Sequence, residues 1–174
     1  MKIIKKFSTI LIVFFGLINF SYSNEKIVYL DLDKVVNNTK AGKSIISKLE
    51  KSKQVALSEF EKKEKELKKI EDEINKQKNI LSENELKKKL VEFRKQLSSF
   101  QKNRQKVIND FNQKKKIEFD EFFKKITPII ESYVVEKNID ILLDKKNIFV
   151  ANNKRNITQE IIEIINSKIK WPHR

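Results

Sequence analysis

The chain has 174 residues, no cysteine and one histidine, His173, one residue from its end. That composition excludes thiolate metal sites, cysteine nucleophiles, a two-histidine zinc site and a histidine-based triad, so no catalytic residue, metal or cofactor is expected. Basic residues outnumber acidic ones 38 to 24, a formal net charge of +14, which suggests an acidic partner, although a lysine-, isoleucine- and asparagine-rich composition would also produce it.

The first residues read as an export signal. Lys2, Lys5 and Lys6 form a basic start, Phe7 to Phe20 is apolar, and Ser21-Tyr22-Ser23 is a small-x-small cleavage pattern. The apolar run is shorter than the roughly 20 residues that span a bilayer. Cleavage near Ser23 is therefore expected, with Asn24 as the mature start, rather than a retained anchor. Export, together with basic residues that are mostly lysine rather than forked arginine, leaves nucleic acid outside the expected partners.

Lys26-Ile-Val-Tyr-Leu-Asp-Leu32 is rich in β-branched and aromatic residues and predicts a strand. A turn or short helix follows over 33–40, and Gly42 stands just before a long helical pattern. Steps of three and four from Ile46 meet Leu49, Lys53, Ala56, Phe60, Lys63, Leu67, Ile70, Ile74, Gln77 and Leu81. A sustained 3.5-residue period predicts a coiled-coil seam, interrupted by Lys53, Lys63 and Gln77. Ser82-Glu83-Asn84-Glu85 is a capping box, so the chain is expected to turn back there rather than continue as one helix. The returning seam runs through Leu86, Leu90, Phe93, Leu97, Phe100, Arg104, Val107 and Phe111.

From Ile117 the apolar stripe widens over Phe119, Phe122, Phe123, Ile126, Ile129, Ile130 and Tyr133, which predicts entry into a packed body. Thr127-Pro128 predicts a kink or a restart capped by Thr127. Ile139–Asp144 reads as a strand, Asp144–Asn147 as a turn, Ile148–Ala151 as a second strand, and 159–169 as a closing helix. The fold class expected is α+β, mostly α: a long antiparallel coiled-coil hairpin attached to a small β-containing body. The expected division is 1–23 signal, 24–42 N-terminal body strand and turn, 43–126 arm with its tip near 79–84, 127–170 C-terminal body, and 171–174 tail.

Few motifs hint at chemistry. Ala41-Gly-Lys-Ser44 lacks the earlier glycine of a phosphate loop, since position 37 is Asn. Asp31 and Asp33 would share a face of the first strand and are read as strand-edge solubility rather than a paired-carboxylate site. Charge is uneven between the arms: 11 Lys against 8 acidic residues over 43–78, but 13 Lys or Arg against 5 over 87–125. Lys87, Lys88, Lys95, Lys102, Lys106, Lys114 and Lys115 are therefore the candidate basic arm face, either a solvated exterior or a surface for acidic partners.

In order, these pieces resemble the Skp/OmpH family of periplasmic chaperones. The resemblance rests on the signal, Lys26-Ile-Val-Tyr-Leu-Asp-Leu32, the charged hairpin, Asn138-Ile-Asp-Ile-Leu-Leu-Asp144, and Ile-Thr-x-Glu-Ile-Ile at 157–162. It implies a periplasmic homotrimer that holds unfolded outer-membrane proteins, without ATP, in a cavity between helical arms. It also implies a shared body, for which Ile27, Val28, Leu30, Ile139, Ile141, Leu143, Ile148 and Val150 are the candidate trimer residues. Anionic lipid or lipopolysaccharide is a further possible partner of the lysines. The rival expectation is a structural or tethering coiled coil at the envelope that binds anionic lipid or peptidoglycan.

Overall fold

The computed structural model describes residues 25–171, so the signal segment and its cleavage point lie outside the described residues, as does His173. The chain runs β1 (Ile27–Leu30), α1 (Leu32–Asn38), α2 (Lys40–Gln77), α3 (Glu83–Glu136), β2 (Ile141–Asp144) and α4 (Thr158–Lys168). Single 3₁₀ turns at Lys145–Asn147 and Asn153–Arg155 separate β2 from α4.

The first strand is shorter than the expected one because Asp31 does other work. Its carboxylate accepts from the Lys34 backbone N–H at 3.0 Å and caps α1. Asp31 and Asp33 therefore belong to a helix start, not to one strand face. Thr39 then serves two helices. Its N–H donates to the Val35 carbonyl at 3.0 Å, closing α1, and its hydroxyl accepts from Gly42 N at 3.2 Å, opening α2. Gly42 lies inside the first turn of α2, where any Cβ would stand 1.8 Å from the Val36 carbonyl oxygen. Only glycine lets the two helices meet this closely, and the same placement makes Ala41-Gly-Lys-Ser44 part of a helix rather than a phosphate loop.

α2 has 38 residues and α3 has 54, about 57 and 81 Å at 1.5 Å per residue. They lie antiparallel, tied by the Lys48–Glu118 ion pair, Lys114 Nζ to Ser52 Oγ at 3.2 Å, Arg104 to Glu64 at 3.1 Å and Lys89 Nζ to Gln77 Oε1 at 2.8 Å. Phe60 and Phe100 meet edge to face across the seam, centroids 6.1 Å apart. The turn is capped as expected: Ser82 N donates to Glu85 Oε2 at 3.1 Å and Glu85 N donates back to Ser82 Oγ.

The seam register differs at its root. Ile45, Leu49, Ser52, Ala56 and Phe60 are the inward residues, whereas Ile46 and Lys53 are exposed. Ile45 is part of the buried body core that also holds Val35 and Phe122, which pulls the seam one residue back there. Two successive four-residue steps, 52 to 56 to 60, restore the expected register further along. Such a stutter unwinds the supercoil locally.

α3 continues without interruption through Pro128 to Glu136, so no new helix starts at Thr127. Instead the Thr127 hydroxyl donates back to the Phe123 carbonyl at 2.8 Å. The helix stops at Asn138, whose φ of 49° lies in the left-handed region that Asn tolerates. β2 then pairs with β1 in parallel, Ile27 opposite Ile141 and Leu30 opposite Asp144. Parallel neighbours need a long crossover, and here the entire arm is that crossover. Val28, Leu30, Val35, Ile45, Phe122, Ile126, Ile161 and Ile165 form the buried core beneath.

Ile148–Ala151, expected as a strand, is not one. It follows the Lys145–Asn147 turn as irregular chain, with Phe149 wholly exposed. β-branched and aromatic residues form a strand only where a neighbouring backbone accepts them, and among the described residues none does.

Candidate assembly and client-binding surfaces

The candidate trimer residues divide into two groups. Val28, Leu30 and Ile139 are buried in the chain's own core. Ile27, Ile141 and Leu143 stand about 40% exposed on the outer sheet face, at 39%, 42% and 40%. Strand alternation accounts for β2, where Ile141 and Leu143 are exposed and Leu142 is half-buried. In β1 only Ile27 is exposed, because Tyr29, on the same face, is buried with its hydroxyl on Asn153. Ile148 is half-buried and Val150 exposed. Ile27, Ile141 and Leu143 therefore leave apolar side chains exposed on the sheet, and Phe149 and Val150, a few residues after β2, are exposed as well.

A cleft of about 300 Å³ lies near this face, lined by Leu30, Leu32, Ile130, Leu142, Leu143 and Asp144. One carboxylate oxygen of Asp144 is buried there without a hydrogen-bond donor; the Lys146 ammonium is 3.0 Å away but misaligned, so the contact is an ion pair only.

Polar contacts fix the rest of the body. Asp31 N donates to Thr158 Oγ1 at 2.9 Å, and Ile157 N to the Tyr29 carbonyl at 3.0 Å, tying α4 to the first strand. The Lys34 amide, then Lys145, holds the Asp31 carboxyl below its usual range. Burial, and then the hydrogen bond that the Tyr133 hydroxyl donates to Glu160, pushes the Tyr133 phenol up to about 12.

The candidate basic arm residues are all exposed, yet they do not form one face. Lys88, Lys95 and Lys102 recur every seven residues and so make one stripe. Lys106 is paired with Asp110 at 2.6 Å, and Lys114 reaches across the seam to Ser52. Sequence reading expected Ile117 in the packed stripe, where it is instead 50% exposed. It also missed the apolar residues that stand off the seam: Val55, Leu57, Val91 and Ile108 are each more than 40% exposed. Subtracting the seam positions from the apolar ones would have found them. Ile46 and Val55 also line a shallow groove of about 810 Å³ with Asn37, Ser47, Glu50 and Gln54. Among the described residues, no group of three or more His, Cys, Asp or Glu could hold a metal ion.

The class that these features define is a helical-arm protein, a long antiparallel hairpin projecting from a small α/β body. The family model described as Outer membrane protein (OmpH-like) matches residues 26–165. The chain belongs to this OmpH-like family. The crystal structure of a proposed outer membrane chaperone (OmpH-like) from Caulobacter crescentus CB15 superposes with a TM-score of 0.74 at 14% identity, covering 86% of this chain and 89% of that one. At that identity the likeness shows a common fold. No curated protein matches.

Proposed function

We propose that this chain, exported and freed of residues 1–23, is an ATP-independent periplasmic holdase for unfolded outer-membrane proteins. Membership of the OmpH-like family supports a role in outer-membrane protein handling, and the shared fold is that of a proposed chaperone. The observation that carries the reading is the arm exterior, where Val55, Leu57, Val91, Ile108 and Ile117 stand exposed among lysines. Residues of this kind, scattered rather than pooled, suit a chain that presents apolar groups in no fixed order. At about 25 cal/mol per Å² of apolar burial, a few hundred Å² of dispersed contact gives reversible binding, with no nucleotide needed for release.

The working unit in this reading is a homotrimer. A lone two-stranded sheet is marginal, and Ile27, Ile141, Leu143, Phe149 and Val150 are left exposed among the described residues. Trimerisation covers them and gives Ile148–Val150 the strand partner that it lacks. Residues 24–42 and 127–170 then make the shared body, and 43–126 the arm. The Lys88, Lys95 and Lys102 stripe favours a second reading, an envelope tether on anionic lipid or peptidoglycan.

Light scattering of a denatured barrel protein diluted from urea separates the two. A holdase suppresses aggregation at about one trimer per client, at physiological salt and without nucleotide. A tether leaves aggregation unchanged and binds anionic vesicles in a salt-sensitive way.

A further inference from the structure

The only tryptophan of the chain, Trp171, takes no part in the assembly or client surfaces described above. After α4 ends, Ile169 is extended, and the chain returns towards the arm. Trp171 then packs on the fully buried Phe122, ring centroids 6.4 Å apart at 66°, and is itself half-buried. The Lys125 ammonium sits 4.4 Å from the indole centroid, a cation over an aromatic face.

The position of this contact along α3 matters. Pro128 has no N–H, so the Lys124 carbonyl loses its usual i+4 donor. The Thr127 hydroxyl bonds back to the Phe123 carbonyl, a contact that bends helices. Residues 123–128 are therefore a locally weakened stretch of α3. On the body side of that stretch, α4 holds Tyr133 through Glu160. On the arm side, the segment after α4 holds Phe122 through Trp171, which also meets Lys125 within the stretch itself. One continuous piece of chain thus grips α3 on both sides of its weak point.

We infer that Trp171 is a strap that braces the root of the arm across Pro128 and limits how far the arm swings from the body. The inference does not depend on what the arm holds, and it adds a control on arm movement that the holdase reading lacks. With the strap seated, Phe122 and Lys125 are fixed relative to α4. With it released, bending at Pro128 is opposed by the core packing of Phe122 and Ile126 and by the seam of the hairpin, without the added brace.

The test is hydrogen exchange on the full chain, with the single indole as an internal reporter. In the native protein, Trp171 emission should be blue-shifted and weakly quenched by acrylamide. In Trp171→Ala, amides over 119–131 should exchange about tenfold faster, whereas those of α1 and of the arm tip should not change. Trp171→Phe, which keeps an aromatic face for Phe122 and Lys125, should recover most of the protection, and Lys125→Ala should lose part of it. Solvated-indole emission from the native chain would overturn the inference. So would unchanged exchange over 119–131 in Trp171→Ala, or an equal rise throughout the body, which would make the tryptophan ordinary core packing.

Discussion

Gly42 shows how one residue constrains the architecture. Its missing Cβ is what allows α2 to start against the Val36 carbonyl, and the neighbour that a side chain would meet is rigid backbone. Gly42→Ala is expected to cost about 3 kcal/mol, at the upper end for overpacking, read as a lower denaturation midpoint at unchanged slope. Tyr133 gives a pH-dependent counterpart. Its phenol is raised to about 12 by burial and by Glu160, so the neutral form is the one that the fold stabilises. That stability is complete below the unfolded value near 10 and is lost as pH rises through the folded value. Tyr133→Phe should therefore flatten this part of the alkaline decline between about pH 10 and 12, measured as midpoint against pH. Asp31 has the opposite sign: its lowered carboxyl contributes stability above the ordinary aspartate range, which fades as acid titrates it.

At the scale of elements, the seam register decides which substitutions count. Ser52, not Lys53, faces α3 near the arm root. Ser52→Leu should stabilise the hairpin by about 1 kcal/mol through added apolar burial, and Lys53→Leu should have little effect, both by thermal melting. Phe100→Ala, which removes the ring packed against Phe60, should cost about 3 kcal/mol. The hairpin itself was legible because its signals are local: a 3.5-residue period, and Ser82 with Glu85 as a capping box. The one-residue shift at the root was not, because Ile45 rather than Ile46 faces inward only once the body is assembled around Phe122. The parallel pairing of β1 with β2 was equally hidden, since it joins segments separated by the whole arm. Ile148–Ala151 has strand composition but no partner among the described residues, and composition alone cannot supply one. Asp31 read as part of a strand because its capping bond to Lys34 depends on where the strand stops.

At the scale of the whole molecule, the unpaired features of the body point outward. Ile27, Ile141, Leu143, Phe149 and Val150 are exposed apolar residues of the body, in addition to those that stand along the arm. In the trimeric reading, Leu143→Asp with Phe149→Asp should leave the arm helical by circular dichroism but reduce the sedimenting mass to that of one protomer, because a buried unpaired charge opposes assembly. The uneven arm charge belongs to this scale too. An arm whose returning helix carries the positive excess speeds encounter with acidic chains at low salt more than it strengthens the complex.

The most direct measurement is the sedimenting mass of the mature protein mixed with a barrel protein freshly diluted from urea, without nucleotide. The account predicts a soluble complex of three copies of this chain with one unfolded client, reversible on competition with excess client. A well-folded protein that sediments unchanged beside aggregated client would contradict it.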